Sequence, residues 1–168
     1  MENLAIKDMS NSYIEHSMVI NNFIIAVGCQ TKNSLCRVFG DNVKYKWIEN
    51  DNKPVIPDVS INCDIKNRRT TTFMSVPRFI MEVLSDSTEK NDRGEKMELY
   101  KKVEVAEYWI VDWRKKKVEI YLLSPKEDTI DETEYILYTT ITAKNKEELE
   151  IVMFPNFHIE FDELFYIE

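Results

Sequence analysis

The run Phe79–Leu84, FIMEVL, limits what this chain can fold into more than any other segment. It has the length of a strand, is apolar at five of six positions, and is entered through Pro77. Such a run predicts a buried strand. Its fourth residue is nevertheless a glutamate, Glu82. Alternation along a strand sends Phe79, Met81 and Val83 to one face and Ile80, Glu82 and Leu84 to the other. An ionised carboxylate between Ile80 and Leu84 costs several kcal/mol unless a cation compensates it. The strand alone leaves two readings open: a structural ion pair with a buried Lys or Arg, or a site that uses the carboxylate.

The chain of 168 residues predicts one domain, 1–168, able to bury a sizeable core. Hydrophobic residues at 43% beside charged residues at 31% fit a globular chain, not a disordered one. No apolar run approaches the roughly 20 residues needed to span a bilayer, and MENLAIKDMS lacks the basic-then-apolar layout of a signal peptide. Cys29, Cys36 and Cys63 form no CxxC pair and read as buried, reduced thiols of a cytoplasmic protein. The net charge of -8 is uneven: residues 126–168 hold 3 basic against 12 acidic residues, leaving 22 - 3 = 19 against 30 - 12 = 18 before them. Charge therefore does not exclude a nucleic-acid partner. The small basic groups Lys66/Arg68/Arg69, Lys90/Arg93, Lys101/Lys102 and Arg114–Lys117 read individually as solvated turns.

The remaining pattern predicts an α/β (α+β) sheet protein. Apolar residues from Tyr13 to Cys29 recur at helical spacing, with Ser10 or Asn11 as the cap. CRVF and VKYKWI flank Gly40-Asp41-Asn42 and predict a hairpin. VIPDVSINCD predicts a strand whose Val59, Ile61 and Cys63 side is apolar, with Asp58, Ser60 and Asn62 turned to water. AEYWIVD and KVEIYLL are joined by the basic turn WRKK, and EYILYTTI and LEIVMFP supply further strands. Between FIMEVL and AEYWIVD lies a helix ending near Lys102. Asp86-x-x-Glu89 offers one capping box for it, and Asp92-x-x-Glu95 a later start that Gly94 favours.

On that helix Asp92, Lys96 and Tyr100 recur every four residues and share one side, each step rising about 6 Å. Asp58 opens one strand and Glu82 lies inside another, so neighbouring strands would bring the two carboxylates together. Two carboxylates can hold Mg²⁺ (or Mn²⁺), which polarises a phosphate and lowers the pKa of bound water. A charged lysine beside them can orient that water or stabilise charge developing on the phosphate. Rival chemistry is scarce. Three glycines provide neither a P-loop nor a dinucleotide fingerprint, and no HExxH or GxSxG occurs. His16 and His158 read as structural residues, and Ser85 as capping chemistry.

The stretches PDVSI, MEVLSDST, DRGEKMELYKKVEVAEYWIVD and KVEIY, in this order and spacing, resemble the Uma2 family of restriction-endonuclease-like proteins in the PD-(D/E)XK nuclease superfamily. EHSMVINNF and FPNFHIEFDELF extend the resemblance over nearly the whole chain. It implies a mixed central sheet flanked by helices, with Asp58 and Glu82 as metal ligands. Two residues after Glu82 stands Leu84, where the superfamily places its lysine, and the family pattern moves that lysine to Lys96. Asp92 and Tyr100 would support the site, and Glu15 would add a metal contact from the first helix. Glu107 and Asp112 flank the following strand, and Asp112 serves equally well as a cap of the WRKK turn. The implied function is a Mg²⁺-dependent endonuclease acting on DNA, by analogy a homodimer. A catalytically silent binding or structural protein, and a hydrolase of small phosphate esters, are the alternatives on the same scaffold.

Overall fold

The computed structural model describes residues 13–47, 54–66 and 75–167. Its centre is a six-stranded sheet in which spatial order follows chain order. The strands are β1 (Arg37–Phe39), β2 (Val59–Asn62), β3 (Phe79–Val83), β4 (Glu107–Asp112), β5 (Lys117–Pro125) and β6 (Thr133–Ile141). All neighbours are antiparallel except β3 and β4, which run parallel with Glu82 opposite Ile110. A parallel pair needs a crossover, and α2 (Glu89–Arg93) and α3 (Glu95–Lys102) supply it. β3 and β4 are buried at every residue, which is why both read as nearly unbroken apolar runs.

The two faces of β3 separate as alternation predicts. Phe79, Met81 and Val83 join Trp109 and Val111 in a core roofed by α1 (Ile14–Gln30), through Val19, Ile20, Phe23 and Val27. Phe23 stacks on Phe79 at 5.3 Å and meets Trp109 edge-on at 5.9 Å. On the opposite face Ile80 and Leu84 pack with Tyr100, Val105, Tyr108 and Ile110, closing the α3 side. The mixed sheet with flanking helices agrees with the expected architecture.

Several local expectations are corrected. Among the described residues VKYKW forms no hairpin with CRVF. β1 pairs with β2 instead, while Tyr45 makes a single bridge to Val55 and donates or accepts a 2.7 Å hydrogen bond with Ser60. Ser60 and Asn62 are accordingly buried, not turned to water. Pro54 and Pro57 lack the N–H groups a longer ladder would need, and β2 begins only at Val59. Cys36 and Cys63 flank the Arg37–Asn62 pair, lie opposite each other and form a disulfide; Cys29 is free and exposed. The reading of three buried reduced thiols fails, and with it the thiol argument for a cytoplasmic protein.

LEIVMFP is not a strand. The buried Glu107 carboxylate accepts the backbone N–H groups of Val152 and Met153 at 3.1 and 2.7 Å, which takes the place of a neighbouring ladder. The final segment forms α4 (Phe161–Leu164), with a Glu160/Glu163 capping box. Ser10 and Asn11 lie outside the described residues; Tyr13 is the α1 N-cap and makes no side-chain capping bond. No helix among the described residues is long and apolar enough to cross a membrane.

Candidate active site

The antiparallel register sets Val59 opposite Met81, so Asp58 comes alongside Glu82. The Asp58 N–H lies 3.3 Å from Glu82 Oε2, and the Val83 N–H donates to Asp58 Oδ2 at 2.8 Å. Each carboxylate is thus fixed by the backbone of the other strand. Glu82 is 1% exposed. Its second oxygen, Oε1, accepts the Tyr100 hydroxyl at 2.5 Å.

The cation comes from the crossover. Lys96 Nζ stands 3.2 Å from Glu82 Oε2 and 3.0 Å from Asp92 Oδ1. The helix that carries it is not continuous. Asp86 does not cap it, because Asp86 pairs with Arg114; Asp92 does not cap it either, being buried inside α2. Gly94 separates α2 from α3, and a Cβ there would lie 2.9 Å from the Lys90 carbonyl oxygen. The chain passes too close to itself for any other residue. The four-residue step from Asp92 to Lys96 nonetheless survives the break, and so does the next step to Tyr100.

Burial pushes the Glu82 pKa up to about 8, reinforced by the neighbouring Asp58 charge and opposed by Lys96. Burial also raises Asp92, again against Lys96. The Lys96 ammonium at 3.0 Å and a hydrogen bond from the Thr88 side chain offset part of that burial. For Lys96 burial acts downward, but Glu82 and Asp92 outweigh it and the ammonium is held charged above its usual range. Tyr100 is raised well above a free phenol by burial and by Glu82, which keeps it a hydrogen-bond donor.

Sequence reasoning missed His16. Its Nε2 lies 3.4 Å from Asp58 Oδ2, and although burial works against the imidazolium, Asp58 raises its pKa overall. The available signal was helical phase: His16 precedes Val19, Ile20, Phe23 and Val27 on the buried stripe of α1. Glu15 is turned about 100° away and makes no described contact with Asp58, Glu82 or Lys96. Asp112 accepts the Arg114 and Lys115 N–H groups at 3.0 and 3.2 Å, capping the turn. Glu107 binds the Trp109 indole at 2.8 Å and is likewise structural.

The arrangement sets the carboxylates of Asp58, Glu82 and Asp92 against one ammonium and one imidazole. Glu82 is sealed, whereas the side chains of Asp58, His16 and Lys96 remain 18%, 14% and 19% exposed. The cluster is therefore partly open to solvent. Among the described residues no group of three or more His, Cys, Asp or Glu side chains is arranged to hold a metal ion. Protein ligands would be limited to the Asp58–Glu82 pair. That fits Mg²⁺, which commonly takes one or two carboxylates and keeps several waters.

Comparison with known proteins agrees with this fold. A crystal structure described as a "putative nuclease belonging to DUF820", from Anabaena variabilis, superposes with a TM-score of 0.66 over 92% of this chain and 82% of that one. At 16% identity that likeness speaks for the fold alone. An uncharacterized protein of Synechocystis sp. is 40% identical over 65 residues, 39% of this chain and 34% of the relative, so the match spans about a third of that protein's length. The family model described as "Putative restriction endonuclease" matches residues 5–160. The chain belongs to the Uma2 family.

Proposed function

We propose that the chain is a divalent-metal-dependent endonuclease that hydrolyses phosphodiester bonds of DNA. The observation that carries this reading is the meeting of Asp58, just before β2, Glu82 on β3 and Lys96 on the crossover helix, at one partly open cluster. A purely structural ion pair needs one acid for one base. Here Lys96 is shared between Glu82 and Asp92, with Asp58 alongside.

Asp58 and Glu82 would hold Mg²⁺ or Mn²⁺. Such a cation, when bound, draws charge from a phosphate oxygen and acidifies a coordinated water. The chain's own groups do the rest. Tyr100 fixes one Glu82 oxygen and leaves the other facing Asp58 and Lys96. Val83 and His16 fix Asp58. Lys96 stays protonated, so its role is not that of a base: it stabilises negative charge building on the phosphate and orients the attacking water. Asp92 positions Lys96 from one helical turn away. The reaction is attack of water on phosphorus with departure of one ester oxygen; the water's proton passes to solvent, and the departing oxygen takes one up from it. Cutting both strands of a duplex takes two such sites, and a homodimer is the assembly proposed for that step.

The test is a plasmid-nicking assay in Mg²⁺ or Mn²⁺ with wild type, Glu82→Gln and Lys96→Ala, all purified identically. Wild type should nick, and each variant should lose about 100-fold or more in rate, the scale of removing one preorganised charge-stabilising group. Equal cleavage by all three would assign the activity to a contaminant and defeat the reading.

A further inference from the structure

The densest basic run in the sequence is Arg114-Lys115-Lys116-Lys117, and the fold sets it on the rim of the candidate site. β4 runs parallel to β3 with Ile110 at the level of Glu82, so the turn after Asp112 begins about 10 Å further along the same end of the sheet. Contacts from both sides tie it there. The Trp113 ring packs on Tyr13 at 5.5 Å, one helical turn before His16 and its contact with Asp58. Arg114 reaches across to Asp86, just beyond the end of β3, and to Glu89 at 3.6 Å.

The four cations have different duties. Arg114 is paired with Asp86, Glu89 and Asp112, and Lys117 with Glu119 at 2.7 Å. These end residues anchor the turn. Lys115 and Lys116, at its tip, are exposed and lack a carboxylate partner among the described residues. Lys116 also adopts φ 46°, a left-handed conformation that glycine would take with less strain. A long cationic side chain thus stands where the backbone alone favours none.

We propose that Lys115 and Lys116 contact backbone phosphates of duplex DNA flanking the bond cut at the Asp58–Glu82–Lys96 cluster, an inference that rests on the nuclease reading. Each strand carries a phosphate per about 3.4 Å of helix axis, so a contact about 10 Å from the cluster engages the same duplex a few nucleotides away. In a chain of net charge -8, affinity for DNA has to come from such a local cationic edge. The acidic β5–β6 turn lies at the opposite end of the sheet, since β5 runs antiparallel to β4 and leads away from the site.

Fluorescence anisotropy with a labelled duplex, over a range of salt concentrations, tests this. The double variant Lys115→Ala/Lys116→Gly should bind about tenfold or more weakly at low salt and lower the slope of log K against log salt by about 2. Lys126→Ala, in the far turn, should leave both unchanged. Because glycine suits the conformation at position 116, the double variant should keep its thermal midpoint, separating lost contact from lost fold. Hydrolysis of bis(p-nitrophenyl) phosphate with Mn²⁺, a substrate with no flanking phosphates, is measured on wild type in parallel. Hydrolysis combined with DNA affinity that is undetectable, or unaltered by the double substitution, overturns this inference and leaves the catalytic cluster standing. Loss of binding in the double variant without any wild-type hydrolysis upholds the turn as a DNA contact and sinks the catalytic reading.

Discussion

At the scale of single residues, Glu82 couples the stability of the protein to pH. A free glutamate titrates near 4.3, and burial pushes Glu82 in the fold up to about 8. Between those values the folded chain holds a proton that the unfolded chain has released. Stability therefore falls as pH rises through that window, by at most about 1.4 kcal/mol per pH unit. Urea unfolding at a series of pH values should show this slope in wild type without divalent metal, and Glu82→Gln should flatten it. Tyr100→Phe removes a donor that favours the ionised carboxylate, so it should cost about 1–3 kcal/mol and move the Glu82 midpoint higher. An unchanged midpoint would show that the hydroxyl does not act on Glu82. That Asp58, Glu82 and Lys96 could come together was legible, because neighbouring strands bring the two acids alongside and helix phase sets Lys96 on the side of Asp92 and Tyr100. His16 was not, because a histidine beside a glutamate gives no sign of which one faces inward until the packed stripe of the helix is known.

At the scale of elements, long periodic segments read correctly and their connections did not. α1, β3, β4, β5 and β6 lie where the apolar pattern puts them. The expected CRVF–VKYKWI hairpin failed because local turn residues do not reveal that β2 offers β1 a fully buried partner. LEIVMFP failed as a strand because its backbone donors are satisfied by a side chain distant in sequence, Glu107. The crossover helix was placed correctly, but its break at Gly94 comes from a close approach of the chain to Lys90 that no periodicity contains. Gly94→Ala should therefore destabilise by about 1 kcal/mol or more, the reverse of the usual gain from replacing glycine in a helix. Its urea midpoint decides the matter: a midpoint at or above wild type would mean the break is incidental.

At the scale of the whole molecule, the site depends on two cores meeting at β3. One face of this strand seats α1, which carries His16, and the other seats α3, which carries Lys96 and Tyr100. Phe23 is the main wedge between α1 and the sheet, and Phe23→Ala should cost about 3–5 kcal/mol in chemical denaturation. The resemblance in sequence captured the sheet architecture, which the Anabaena variabilis structure shares. It did not capture the disulfide joining β1 to β2, since which cysteines face each other depends on a strand pairing that spacing cannot supply. The most direct test of the central claim, that Asp58 and Glu82 form a cation site, is titration of Mn²⁺ into the protein, followed by electron paramagnetic resonance of the free ion. Wild type should take up Mn²⁺ with an affinity that strengthens as pH is raised through about 8, where Glu82 gives up its proton, and the uptake should be lost in both Asp58→Asn and Glu82→Gln. No uptake at millimolar Mn²⁺, or equal uptake by wild type and both variants, would contradict it.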